Sequence, residues 1–307
     1  MYREKLSGRQ LSAWLFAAIV PVGLQILDGG WVWTLCFGSL GLVLAWLQWR
    51  RPRKPGKTES VILILYVTIL MGQLLHYTAQ SWPVGNSDPA VPLILLALAA
   101  WSAQKGPAAA ARVGAVLFWV VLGIYLVVFV AGVKEVKMEW LIPEADMVSP
   151  LALELFLLPC AATALLHERA TPGKKVALTV AFLVAGTLIA VGVLSPTMTA
   201  ELPNAFYEMS RSLDLLGVAQ RFEAMICAGA TVGWFAVLSM LLTLCGTYTK
   251  KIFSEQGRVG VWLAAVGAAG WKLCGLHIMP LYLLLAGAVF WVIIPLLAQG
   301  LGKEKKS

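Results

Sequence analysis

From residue 9 to residue 299 the chain is a succession of long apolar runs separated by short charged connections. An apolar stretch of about 20 residues crosses the hydrocarbon core of a bilayer as a helix, and helix or closed barrel are the two forms that satisfy the backbone there. Ten runs are legible, at about 9–27, 30–49, 60–82, 90–103, 113–133, 148–166, 176–195, 222–249, 259–275 and 277–299. The fourth is short, ending before Gln104, Lys105 and Gly106, so it is expected to be tilted, extended by its flanks or re-entrant. Apolar residues make up 59% of the chain and charged ones 13%, against roughly half and one quarter in soluble domains, which leaves no room for a soluble domain. The expectation is an all-α polytopic membrane protein, one transmembrane domain over 1–307. The first run has no small-residue cleavage pattern and leads into further runs, so it is expected to be retained. Cys36, Cys160, Cys227, Cys245 and Cys274 lie in apolar stretches at irregular spacing, which suggests membrane-packed small residues and neither disulfides nor a metal site.

Charge tests the span count. With ten spans and both termini on one side, that side holds 19 of the 24 basic residues, and the opposite side takes 11 of the 16 acids. The positive-inside rule makes the basic side cytoplasmic. The net charge of +8 then reflects topology, and no nucleic-acid partner is implied. The run Arg50 to Lys57 is expected to act as a topology anchor at the surface of the lipid bilayer.

Ten spans divide into two sets of five, about 9–133 and 148–299, and because five is odd the second set starts from the opposite side. This is the arithmetic of a 5+5 inverted repeat, whose first helices are often interrupted near the solute site. Pro21, Val22 and Gly23 at the middle of span 1, and Pro159 in span 6, are the expected breaks, because proline removes a helix hydrogen bond and glycine permits unwinding.

Glu154, within the apolar stretch from Leu151 to Pro159, is the most costly residue to insert. A carboxyl there binds a substrate ammonium, binds a coupling cation, holds a proton, or lies near enough to the outer interface to reach water. In span 3, Gln73, His76 and Tyr77 share one face and form a polar stripe. Ser239, Thr243 and Thr247 form a second stripe in span 8, where hydroxyls more often bond their own helix. Gly229 and Gly233 form a GxxxG, a close helix contact. Enzyme signatures are missing: His167-Glu168 is followed by Thr171 where a zinc protease helix needs histidine, and His76, His167 and His277 fall in separate segments. No catalytic residue, metal or cofactor is expected. Residues 196–221 carry Phe206, Met209, Leu213 and Leu216 at helical spacing, an extracytoplasmic amphipathic helix lying on the surface or on the bundle. The connection 133–147 reads as a polar outer loop.

Three short motifs carry a family resemblance. The opening Glu4-Lys-Leu-Ser-Gly-Arg-Gln-Leu11, the Leu153-Glu-Leu-Phe-Leu-Leu-Pro159 segment, and Gln220-Arg-Phe-Glu-Ala224 after an amphipathic stretch resemble GerAB-type spore germination proteins, the permease-like B subunits of nutrient germinant receptors. The resemblance implies the fold of the amino acid, polyamine and organocation transporter superfamily (LeuT-like), with a small-molecule pocket among helices 1, 3, 6 and 8. It further implies a germinant, such as an amino acid, partner A and C receptor subunits, and the spore inner membrane. Carried over, Glu154, Pro21 to Gly23 (Val22 included), Gln73, His76, Tyr77 and Thr243 would line that pocket. The chain departs from the pattern in having Leu153 where the family has glycine, and in its shortness near span 4. Two functions follow: a receptor subunit that signals through partners, or an autonomous amino acid transporter coupled to a cation at Glu154. Bulky Trp31, Trp33 and Trp82 are the side chains that would fill the pocket if it is closed.

Overall fold

A computed structural model describes residues 6–26, 31–50, 52–53, 55–80, 89–141, 150–166, 174–202, 204–213, 222–253 and 256–298. Among them there is no strand. In chain order the helices are α1 (Gly8–Ile26), α2 (Trp31–Trp49), α3 (Lys57–Gln80), α4 (Ala90–Gln104), α5 (Pro107–Val133), α6 (Pro150–Ala161), α7 (Lys174–Leu194), α8 (Pro196–Glu201), α9 (Ala205–Ser212), α10 (Phe222–Ile252), α11 (Gly257–Leu273) and α12 (Pro280–Gly287). A 3-10 turn, Ala162–Leu165, continues α6, and a π-helical stretch, Ala288–Ile293, continues α12. Helices thus fall on each of the ten apolar runs. Among the described residues seven are long and apolar enough to cross a membrane, and Ala90–Gln104 and Leu153–Leu165 are apolar but shorter.

Local chemistry sets the helix starts. Ser7 and Gln10 cap α1 reciprocally, the Gln10 amide donating to Ser7 Oγ at 3.2 Å and the Ser7 amide to Gln10 Oε1 at 3.3 Å. Gly106, at φ 97°, turns the chain before Pro107 begins α5. Asn204 caps α9 through its side chain on the Tyr207 amide.

Burial sorts the helices into a centre and a shell. The α1 segment is 89% buried, whereas the corresponding windows of α2, α5 and α12 are 28%, 28% and 22% buried. The shell exposes Leu65, Trp101, Val116, Trp119, Leu263 and Val266, a surface suited to lipid. Around α1 lie α5, α7 and α10, while α10 also packs on α3, α4 and α11, and α6 packs on α2 and α12. Small residues allow the closest approaches. A Cβ on Gly233 would fall 2.5 Å from Pro21 Cβ, and one on Gly114 would fall 2.5 Å from the Trp14 indole. The expected GxxxG is therefore a two-sided contact, Gly233 against α1 and Gly229 against Tyr125 of α5.

Several expectations are corrected. Span 1 is not broken: α1 runs through Pro21 and Gly23 to Ile26. Proline removes the bond to the Ala17 carbonyl but fits a helix whose neighbour has only Gly233 at that point. In α6 the helix also continues past Pro159, and the change to 3-10 geometry comes after Ala161. The indole of Trp49 donates to the Pro159 carbonyl at 2.8 Å, holding this end in place. Within the stretch 196–221 the described residues form two short helices, α8 and α9. Phe206, Met209 and Leu213 are buried, and Phe206 stacks on Tyr125 with centroids 5.8 Å apart, so α9 docks on the bundle; Leu216 lies outside the described residues. Of the cysteines, Cys160 and Cys245 are buried in the bundle, Cys227 is half-buried, and Cys36 and Cys274 lie on its outer surface, none of them in a disulfide.

Candidate functional site

Glu154 stands on the first turns of α6 with 3% of its surface exposed. Its Oε1 accepts the hydroxyl hydrogen of Tyr66 from α3, and its Oε2 is buried with no partner. The ion pairs formed among the described residues, Arg53–Glu59 and Arg211–Glu208, do not include it. On the third side is α12: a Cβ on Gly287 would overlap both Glu154 Oε1 and Tyr66 Oη, so glycine makes room for the pair. Tyr66 lies nine residues into α3, about 14 Å along its axis from Lys57. That depth argues against a carboxyl at the outer interface. A carboxylate at such a place is costly without compensation, and no cationic side chain among the described residues pairs with it.

Beyond Gly287 the helix widens into its π-helical stretch, a geometry that frees a backbone carbonyl and recurs at functional sites. Gln48 Nε2, from α2, donates to the Trp291 carbonyl at 2.8 Å, and Arg53 Nη1 reaches the Ile294 carbonyl at 3.5 Å. Gln48 Oε1 accepts from Thr163 of the 3-10 turn at 3.4 Å. Arg53 also pairs with Glu59 at 3.1 Å. These groups surround a cavity of about 30 Å³ lined also by Leu63, Cys160, Tyr248 and Phe290. Trp291, on its wall, meets the Tyr66 ring edge-on with centroids 5.0 Å apart. A second cavity of about 10 Å³ lies between α1, α7 and the α8–α9 segment, bordered by Leu24, Thr187, Thr199 and Phe206. Both are the size of one or a few waters.

The other expected site residues are dispersed. Gln73 Nε2 donates to the Ile278 carbonyl at 2.6 Å, joining α3 to the turn between α11 and α12. His76 Nδ1 lies 3.2 Å from Lys272 Nζ, and its ring lies 4.1 Å from that of His277. Tyr77, the next residue, is half-buried. Val22 and Pro21 press on Gly233, and Gly23 approaches Leu183 of α7. Thr243 donates to the Ser239 carbonyl at 2.6 Å and Thr247 to the Thr243 carbonyl at 2.8 Å, so this stripe is satisfied on its own helix. The described contacts of Glu154 are with Tyr66 and Gly287 and with none of these. Trp33 is exposed rather than filling a pocket, and Trp82 lies outside the described residues.

Tyr66, Gly287 and Gln48 escaped sequence reasoning. For Tyr66 a signal existed: it precedes Gln73 by seven residues, so the span 3 stripe extends two turns towards the basic end. Gln48 reads as the polar end of an apolar run, and nothing local marks Gly287. Among the described residues, no three His, Cys, Asp or Glu side chains gather as a metal site. No protein-family model matches the chain, and no curated protein is significantly similar to it.

Proposed function

We propose that the protein is a multi-pass membrane sensor of the GerAB type, a germinant receptor B subunit. It takes a small nutrient, an amino acid by the family resemblance, into the bundle and signals to A and C partner subunits. The observation that carries a solute-handling role is Glu154, a buried carboxyl that one tyrosine holds and that no cation among the described residues pairs with. Binding a solute ammonium there requires α6 to part from α3 and α12, and that movement is the signal a partner would read.

The 5+5 inverted repeat is supported by the way the helices pair. Counting α10, α11 and α12 as spans eight to ten, α1 packs on α5 and α7 as α6 packs on α12 and α2. Likewise α3 packs on α11 as α10 packs on α4. Exchanging each span for the one five places away maps the first member of each of these pairings onto the second, while the α1–α10 pairing has no counterpart of similar extent between α6 and α3. Charge supports cytoplasmic termini, and the spore inner membrane follows from the family reading alone. An autonomous cation-coupled transporter is the second reading, favoured by Glu154 having no counter-charge among the described residues.

Reconstituted protein and Glu154→Gln, offered each of the twenty standard amino acids, separate these readings. Saturable binding without uptake, weakened in the variant, is expected. Gradient-driven uptake lost in the variant would establish the transporter instead, and absence of any binding would remove the solute site.

A further inference from the structure

We propose that Glu154 exchanges a proton with the basic end of the bundle, through the cavity beneath it and past a gate formed by Trp291 and Phe290. This rests on the reading of Glu154 as a functional group, and it assigns that group a proton and a side of access.

Three observations converge. The first is alignment: Glu59, Leu63 and Tyr66 follow one another at i, i+4 and i+7 on α3, so a single helix face leads from the Arg53–Glu59 ion pair, along the cavity wall, to the hydroxyl that Glu154 holds. The second is size and polarity. At about 30 Å³ the cavity admits water and excludes an amino acid, and Gln48, Thr163, Arg53 and Glu59 give that water partners. The third is the closure. Phe290 and Trp291 both border the cavity, both rings lie against Tyr66, at 6.3 and 5.0 Å, and both belong to the π-helical stretch. A turn of that stretch back to α geometry rotates the two rings relative to α3 and removes the partition. The Trp291 carbonyl is held in its present place by Gln48, whose other end is tied to α6 through Thr163. Separation of α6 would thus release the gate.

The ligand is a proton because the partner held by Glu154 is a hydroxyl that can relay one, and no second carboxyl gathers with it among the described residues. With the gate open, a hydronium ion that reaches the cavity from the basic side gives a proton to the Tyr66 oxygen as the Tyr66 hydroxyl proton passes to Oε1 of the Glu154 carboxylate, and water is left in the cavity. The tyrosine ends neutral and the carboxyl protonated, and return follows the same atoms in reverse.

The test uses full-length protein in orientation-sorted liposomes and dicyclohexylcarbodiimide, which modifies protonated carboxyls in apolar surroundings. Modification at residue 154 is read by mass spectrometry while pH is varied on one side at a time. Labelling is expected to fall as pH rises on the basic side and to ignore pH on the other. Ala164→Phe, which fills the cavity, should slow the response to basic-side pH at least tenfold, while Ala164→Ser should not. Gln48→Leu should speed it, since the gate loses its tie. Response to the opposite side alone, labelling indifferent to pH on both sides, or an unslowed Ala164→Phe variant that elutes as native would each overturn the route. No solute is present in this assay, so failure of amino acid binding and failure of the proton route are read separately.

Discussion

At the scale of the residue, the site depends on what surrounds one carboxyl. Tyr66 supplies the single described hydrogen bond to Glu154, and Gly287 supplies the space. Tyr66→Phe leaves a buried carboxyl with no donor and should lower stability by about 1–3 kcal/mol, the usual cost of an abandoned buried polar group. Glu154→Gln keeps an acceptor for Tyr66 and should cost less. Combined, the two changes should be non-additive by about 0.5–3 kcal/mol, as for groups in contact. Thermal unfolding in detergent of the two single variants and the double variant measures this; additive losses would dissolve the pair. Gly287→Ala should be worse than its size suggests, because the added methyl meets two polar atoms that face each other. An overpacking cost of about 1–3 kcal/mol is expected, and a Gly287→Ala protein as stable as native would mean that α12 does not close on the pair.

At the scale of the element, helix contacts rest on notches of different depth. A Cβ at Gly233 would meet Pro21 at 2.5 Å, one at Gly229 would meet the Tyr125 ring at 2.9 Å, and one at Gly123 of α5 would meet nothing within 4 Å. Gly233→Ala should therefore destabilise most, since a proline ring within α1 cannot swing aside as a tyrosine ring can. Gly123→Ala should be neutral or stabilising by up to about 1 kcal/mol, from helix propensity. Melting temperatures ranked otherwise would contradict this packing of α1 on α10. The continuity of α1 gives another expectation: Pro21→Ala restores a backbone bond in an unbroken helix and should leave amino acid binding within about twofold of native. A much larger loss of binding would mean that span 1 works as a broken helix after all. Helix positions were legible in the sequence because apolar length is a local property. The break expected at Pro21 does not form, and what was not legible there is tertiary: α1 packs closely on Gly233, more than two hundred residues away.

At the scale of the whole molecule, the arrangement is a buried core helix wrapped by others, with lipid-suited shell helices outside and polar closure at one end. The polar closure was illegible for the same reason as the helix contact, since Gln48, Glu59, Thr163 and Trp291 come from four separate helical segments. The site was half legible: the cost of Glu154 singled it out, but its partners are set by tertiary packing. The charge distribution predicts that the basic end faces the cytoplasm, and this can be measured directly. Gly56, exposed in the connection between α2 and α3, has nothing within 4 Å of where a Cβ would be, so Gly56→Cys should fold normally. Cys274, exposed just after α11, belongs to the opposite end, because α11 starts where α10 ends with Lys250 and Lys251 and runs the other way. In a chain whose other cysteines are replaced by serine or alanine, an impermeant maleimide added to intact cells should modify Cys274 and spare the cysteine at position 56. Permeabilised cells should give both. Reversal of that pattern would invert the topology, and with it the side from which Glu154 is reached; equal labelling of both in intact cells would mean that the two ends of the bundle are not separated by the membrane.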